Sequence, residues 1–228
     1  MANETAILEI LKLDLNLNLA DHSELNELAE NAQRFHFEKG EYIFSAGDNS
    51  AYYYLVESGR VVLSKESPTG KNFTYMIAVK GVPLNSIVCF KSRPHFFSAR
   101  VAERTTVIAI PCNIFSQWVF NHPEVAIGIL GTMGDLLDGA YTRLLDIIDK
   151  SAETRIMNTL AMLASRIGPE LPLTNADIAE LTGVSRETAA RVISHLQNAG
   201  LISKSRGNIT ILDKVQFNEL SSNPFFLL

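Results

Sequence analysis

The stretch that most restricts what this chain can become is Thr174–Leu201, TNADIAELTGVSRETAARVISHLQNAGL. Its first half places Ala176, Ile178, Ala179 and Leu181 at helical spacing. Gly183 follows, where a chain that must reverse benefits from a residue free to take φ > 0. Ser185 stands where an N-cap belongs, its hydroxyl able to accept from an orphan N–H one turn on. The second half sends Ala189, Val192, Ile193 and Leu196 to one face, and Arg186, Glu187, Thr188, Arg191 and His195 to the other. Gly200 ends it. Two short helices with a tight turn between them form a helix-turn-helix, whose second helix enters a major groove.

The exposed face carries base-reading chemistry. Arg186 and Arg191 can each donate two hydrogen bonds to guanine O6 and N7, and Glu187 can accept from cytosine N4. A carboxylate facing phosphates is repelled, so Glu187 needs a specific donor. The plainer reading is a solvated face with an i,i+4 pair between Glu187 and Arg191, worth about 0.2–0.5 kcal/mol. That accounts for one charge at a time, but not for the turn, the cap and the segment that follows. In that segment, Ile202–Leu212, Arg206-Gly207-Asn208 is a turn signal between two alternating runs, which predicts a two-stranded wing. Lys204 and Arg206 near its tip are placed to meet phosphates. Upstream, Ser151–Ile167 predicts a capped amphipathic helix with Ile156, Leu160, Leu163 and Ile167 on one side.

The run SRETAARVISHLQNAGLI resembles the recognition helix of the cyclic-AMP receptor protein/fumarate-nitrate regulator (CRP/FNR) family of bacterial transcription factors. Arg186-Glu187-x-x-x-Arg191 is similar to the receptor-protein branch, whose half-site is TGTGA. The fumarate-nitrate branch carries Glu-x-x-Ser-Arg, and Ala190 occupies its Ser position here. By the same resemblance Thr174, Ser185 and Thr188 fall on phosphate-contacting positions.

Residues 4–34 read as helical, with Leu8, Leu11, Leu15, Leu25, Leu28 and Ala32 at three- and four-residue steps and Asp21 or Ser23 as a cap for the second helix. From Phe35 to Pro111 the period changes to two. The runs EYIFSA, AYYYLVES, RVVLSK and FTYMIAV alternate with turns centred on Gly40, Gly47, Gly59, Gly70 and Gly81. That glycine spacing resembles the family's effector domain. The expected fold class is α+β: an N-terminal antiparallel jelly roll (double-stranded β-helix) over 1–120, a dimerisation helix over 121–150 and a winged helix-turn-helix over 151–228.

The family's cyclic-nucleotide cassette is altered. It places Gly-Glu on a short helix, for the ribose and phosphate, and Arg-Ser-Ala about a dozen residues later, the Arg pairing the phosphate. Here Asn85-Ser86 stands for Gly-Glu, and Phe97-Ser98-Ala99 puts Phe97 at the Arg position. A cyclic phosphate would lose its charge partner, and a buried unpaired charge is expensive. Cyclic AMP is therefore not the expected effector. Phe73, Tyr75, Phe90, Phe96 and Phe97 flank the same region, and the next helix would offer Met133, Leu137, Ala140 and Tyr141. An apolar pocket for an aromatic ligand or a haem is one reading, and a filled core is the other. Haem needs an axial ligand, for which His22, His36 and His95 qualify by residue type alone; the family's carbon monoxide sensor has its haem histidine where this chain has Ile87. Two cysteines exclude an iron–sulfur cluster on four thiolates.

Asn121-His122-Pro123 opens a long helix running to about Lys150. Ala126, Leu130, Met133, Leu137, Ala140, Leu144 and Ile147 form an unbroken a/d seam. Ile129, Leu136, Leu145 and Ile148 supply a second apolar flank for the chain's own core. Two flanks predict a parallel homodimer, as in the family, with a hinge at Asp149-Lys150-Ser151.

Composition closes off other classes. The net charge of −5 lies wholly in residues 1–150, which hold 13 Lys and Arg against 18 Asp and Glu; residues 151–228 hold 7 of each. Positive charge is therefore local to Arg186, Arg191, Lys204 and Arg206, and the salt-sensitive part of DNA binding should be modest. No run approaches the ~18 apolar residues of a membrane span, and the start of the chain has no basic signal region. The expectation is a cytoplasmic protein, with Cys89 and Cys112 as buried reduced thiols or, alternatively, a redox pair. The competing function is a barrel-containing enzyme or metal-binding protein with an accessory helix-turn-helix; five scattered His with no His-x-His or His-x3-His pair do not favour it. The implied partners are double-stranded DNA, a second copy of the chain, an unknown small-molecule effector and RNA polymerase, with no membrane.

Overall fold

The computed structural model describes residues 2–70, 72–91, 93–213, 215 and 217, and the side chains of these apart from 2–4 and 165–167. The terminal run 221–228 and the Ile167 side chain lie outside the described residues. The chain divides into two compact units, Met1–Gly131 and Thr132–Leu228.

The first unit opens with α1 (Ala2–Leu11), a 3-10 turn (Leu17–Leu19) and α2 (Leu25–Glu30). The helical expectation for 4–34 is interrupted between the helices, where Leu15 is exposed and Asp14 is buried instead. Asp14 accepts from the Asn16 and Leu17 N–H groups at 2.8 and 3.1 Å and from the Tyr53 hydroxyl at 2.5 Å. Burial pushes its carboxyl above the usual range, against these three bonds, and the Tyr53 phenol is raised well above its own. Neither Asp21 nor Ser23 caps α2. Its N-cap is Glu24, whose carboxylate instead takes the Asp21 N–H.

Strands β1 (Gln33–Phe37), β2 (Tyr42–Phe44), β3 (Tyr52–Glu66), β4 (Asn72–Ala78) and β5 (Ser98–Pro111) follow. They form one five-stranded antiparallel sheet in the order β1-β5-β3-β4, with β2 also on β5. The expected jelly roll is thereby corrected: among the described residues the sheet has open ends at β1 and β4 and does not close. The physical reason is Gly59. Read as a turn between AYYYLVES and RVVLSK, it lies inside β3, at an irregularity in the pairing with β5. At φ +87° a Cβ there would come within 2.4 Å of the Thr105 hydroxyl and 2.5 Å of the Arg104 carbonyl. Two expected strands thus fuse into one of 15 residues, opposite a 14-residue β5. Five strands remain, where a jelly roll takes about eight.

Alternation along β3 and β5 divides two cores. Tyr53, Leu55, Ile108 and Ile110 pack with Leu11, Leu17, Leu25, Leu28, Phe115 and Trp118. Tyr54, Val56, Val107 and Ala109 turn the other way, to Phe44, Val61, Leu63 and Leu84. Both faces are covered, which is why YYYLV reads as a continuous apolar run. Phe115 and Trp118 belong to α3 (Cys112–Asn121), a helix that the sequence reading missed. Cys112 at its start is joined to Cys89 in a disulfide, which overturns the reduced-thiol reading. The end of β5 and a 3-10 turn (Val88–Phe90) bring the two Cα atoms to 4.8 Å, inside the bridging range.

Helix α4 (Pro123–Asp149) crosses the boundary between the units. Then come α5 (Ala152–Ile167), β6 (Glu170–Leu171), α6 (Asn175–Thr182), α7 (Arg186–Asn198), β7 (Ile202–Ser205) and β8 (Asn208–Ile211). Ser151 caps α5 by accepting from the Thr154 N–H. The predicted wing is β7 paired with β8, and β6 adds a third strand on β8 that was too short to read from the pattern.

Candidate nucleic-acid interface

The turn between α6 and α7 is fixed by three residues. Thr174 caps α6 in a reciprocal box: its hydroxyl accepts from the Asp177 N–H at 3.2 Å, and the Asp177 carboxylate accepts from the Thr174 N–H at 2.7 Å. Gly183 ends α6 at φ +68°, and Ser185 caps α7 by accepting from the Thr188 N–H at 3.1 Å. Ala189, Val192, Ile193 and Leu196 are all buried, as their spacing predicts. Arg186, Glu187 and Arg191 are all exposed. Glu187 and Arg191 form no ion pair, so the i,i+4 contact of the plainer reading is not made, while the solvated face it describes is present. The Glu187 carboxyl is held below its usual range by its own backbone N–H first, then by the Ser185 hydroxyl and the Arg186 charge. It presents an ionised acceptor beside two free-ended guanidinium groups.

The remaining expected contacts are arranged around this helix. Thr174 and Ser185 spend their hydroxyls as caps, and the half-buried Thr188 meets the Ser185 hydroxyl at 3.1 Å. Lys204 reaches back to the Asn175 side-chain oxygen at 3.0 Å, which ties the wing to the start of α6. Arg206 is exposed in the β7–β8 turn. Sequence reasoning missed the pairing of His195 with Glu153, which meet at 2.9 Å. Ser151, Ala152, Glu153, Arg191, Val192 and His195 line a cleft of about 350 Å³. His195 was visible on the exposed face, but nothing in the sequence linked it to a residue 42 positions earlier.

The expected effector residues divide between the two units. In the first, Asn85 is engaged by backbone: its amide donates to the Tyr52 carbonyl at 2.9 Å, and its oxygen accepts from the Tyr54 N–H at 3.0 Å. Ser98 accepts from the Ala46 N–H at 2.9 Å. Phe97 stacks on Tyr75 at 4.6 Å, and Phe96 stands edge-on to it with the Lys65 ammonium 3.6 Å over its ring. Ser86 is half-buried. In the second unit Met133 is half-buried, while Leu137, Ala140 and Tyr141 are exposed. The histidines do not converge. His95 is buried, its ring stacked on Phe44 at 3.8 Å and its pKa lowered by that burial; His36 meets the Thr106 hydroxyl at 3.0 Å; His22 is exposed. Among the described residues no cluster of three or more His, Cys, Asp or Glu could hold a metal, and no helix is long and apolar enough to cross a membrane.

Residues 154–220 match the Crp-like helix-turn-helix domain, and residues 34–122 match the cyclic nucleotide-binding domain. The chain belongs to the CRP/FNR family. The CRP-like cAMP-activated global transcriptional regulator of Mycobacterium tuberculosis is 23% identical over 199 residues, covering 84% of this chain and 89% of that protein. The anaerobic regulatory protein of Bacillus subtilis is 26% identical over 202 residues, covering 84% and 85%. Among solved structures, FixK2 from Bradyrhizobium japonicum superposes with a TM-score of 0.75 at 20% identity, covering 84% of this chain and 98% of that one. Members of the CRP/FNR family are DNA-binding transcription regulators with an effector-sensing N-terminal domain, not enzymes, and so is this chain.

Proposed function

We propose that the protein acts as a homodimer on an inverted DNA repeat with TGTGA-like arms, and that an effector other than cyclic AMP controls it. The observation that carries the DNA reading is the trio of Arg186, Glu187 and Arg191, solvent-exposed at the start of a capped helix whose other face is buried. The arginines donate to guanines, and Glu187 accepts from a cytosine on the complementary strand. Thr188, Lys204, Arg206 and the capped helix starts at Thr174 and Ser185 hold phosphates. Half-site centres lie about one helical turn apart, roughly 10–10.5 bp.

Dimerisation is supported by the apolar side chains that the single chain leaves uncovered along α4: Leu130, Leu137, Leu144 and Ile147 are each at least half exposed, and so are Leu145 and Ile148, which the expected second flank had assigned to the chain's own core. With Met133 and Ala140 the first four complete the seam. In this reading residues 1–120 sense, 121–150 pair two copies and 151–228 bind DNA, with RNA polymerase as the protein partner. Leu137→Asp converts the protein to monomers and abolishes binding to the paired site; a sedimentation profile that stayed dimeric would refute the seam. Against cyclic AMP stand Phe97, stacked on Tyr75 where an arginine would pair the phosphate, and Asn85, engaged by β3. Millimolar cyclic AMP leaves the melting temperature nearly unchanged; a rise of several degrees at micromolar nucleotide would reverse this conclusion.

Binding-site selection tests the base code. Glu187→Ala removes a negative charge, so non-specific binding holds or rises while discrimination falls at one base pair. A variant with the wild-type preference at every position would remove Glu187 from the base-reading set.

A further inference from the structure

The disulfide has no part in reading DNA, and its place in the fold suggests a use. It fastens the middle of the connection between β4 and β5. That connection is anchored at one end by Asn85 on β3 and at the other by His95, whose N–H donates to the Asp48 carbonyl and whose carbonyl accepts from Gly47. Between the anchors, backbone bonds among the described residues stay local: the N–H groups of Val88, Phe90 and Lys91 donate to the carbonyls of Asn85, Ile87 and Val88. Outward hold comes from Phe90, whose ring lies 6.0 and 5.8 Å from Phe115 and Phe120, and from the covalent bond to Cys112.

We propose that Cys89–Cys112 is a thiol-exchange site, a reversible latch opened by a dithiol reductant. Neither cysteine is fully buried. The two sulfurs are unequal. Cys112 is the first residue of the ten-residue α3, where the helix start stabilises a thiolate, and the Ser50 hydroxyl lies 3.8 Å from its sulfur. Cys112 is therefore the better leaving group. The reductant's thiolate attacks the Cys89 sulfur, breaking the Cys89–Cys112 bond, forming a mixed disulfide on Cys89 and releasing the Cys112 thiolate. The reductant's second thiol then attacks its own sulfur in that mixed disulfide and releases the Cys89 thiolate. Two electrons pass to the protein, the dithiol leaves as a disulfide, and its two protons are taken up as the cysteines become thiols. Oxidised dithiol reverses the sequence. Opening removes the covalent tie and leaves the segment 86–91 to its noncovalent packing, Cys89 and Phe90 included. Ser86 lies in that segment, and Asn85 adjoins it, so its bearing on the effector rests on the reading above; the exchange chemistry does not.

The test uses the full chain, equilibrated with dithiothreitol and its oxidised form at graded ratios. Free thiols are trapped with N-ethylmaleimide and counted by intact mass, while circular dichroism follows the fold. Two thiols appear together and reversibly while the protein stays folded, and tryptic cleavage after the exposed Lys91 accelerates severalfold in the reduced form. Cys89→Ser and Cys112→Ser, each lacking the bond, are cut at the fast rate whatever the ratio. If Cys89→Ser does not fold, oxidised and reduced wild type make the same comparison. Thiols that appear only as the fold is lost, or an unchanged cleavage rate at Lys91, overturn the latch. Affinity for a TGTGA-armed duplex is measured on the same samples. Absence of specific binding in both redox forms defeats the DNA reading and not the latch.

Discussion

Two polar clusters that look alike in the sequence behave differently in the structure. In the second unit Arg186, Glu187 and Arg191 stand exposed on a helix whose start is capped by Ser185, so no cap depends on the two guanidinium groups and they are left for a partner. In the first unit Asn85 and Ser98 are themselves the groups that satisfy backbone, and Phe97 is stacked on Tyr75. Residue type alone marks both as candidate sites. What separates them is whether the fold has already used the side chain. A polar group is available to a ligand only where another residue meets the local backbone's needs.

Paired glycine substitutions test this contrast with the largest effect. Gly59 and Gly183 both hold positive φ, but a Cβ at Gly183 meets nothing within 4 Å, whereas one at Gly59 collides with Thr105 and Arg104. Gly183→Ala costs only the strain of the left-handed region, about 1–2 kcal/mol. Gly59→Ala adds a displaced strand and costs at least about 2 kcal/mol more than that. Urea unfolding compares them directly; equal losses would mean that β3 yields where the geometry says it cannot.

A double dissociation comes next. Arg186→Ala costs about 1–3 kcal/mol of binding per half-site and leaves unfolding within about 0.5 kcal/mol of wild type, as for a surface substitution. Asn85→Ala does the reverse, losing about 1–3 kcal/mol of stability by stranding a donor and an acceptor on β3 while intrinsic DNA preference is unchanged. If Asn85→Ala were neutral to stability, its side chain would be as free as Arg186, and the contrast would collapse.

The smallest effect is one of pH. The folded pKa of Asp14 is raised, so the folded state holds its proton more tightly than the unfolded chain does. The associated stability is fully present below the unfolded pKa of about 3.9 and fades as pH rises through the folded value. Asp14→Asn cannot ionise and gains on wild type as pH climbs out of the ordinary carboxylate range. A stability difference that stayed flat across that climb would mean Asp14 is not strained by its burial.

The legibility of the chain follows the range of its interactions. Ser185, Gly183 and the buried set Ala189, Val192, Ile193 and Leu196 act within a turn or two of themselves, so spacing reveals them. Helix α3 was missed because its buried stripe, Phe115, Trp118 and Val119, is too short for its period to stand out from the apolar strand before it. The open sheet was misjudged because alternation tells which residues face a core, not which strands pair, and Gly59 punctuates a strand as readily as it makes a turn. The disulfide and the His195–Glu153 pair join residues 23 and 42 positions apart, a distance at which no local pattern carries information.

Asn85 has one further consequence. Strand β4 pairs with β3 only from Val61 onward, so the stretch Tyr52–Val56 would present a bare edge. Instead Gly81, Val82 and Leu84 bond to Val56 and Tyr54 through their backbones, and the Asn85 amide completes the row as a substitute strand residue. An exposed row of this kind is a template on which a second polypeptide can add itself. Any small molecule that recruited Asn85 would uncover the end of that row. A substitution made there to alter sensing would therefore also bare the Tyr52 carbonyl and the Tyr54 N–H at the end of that edge.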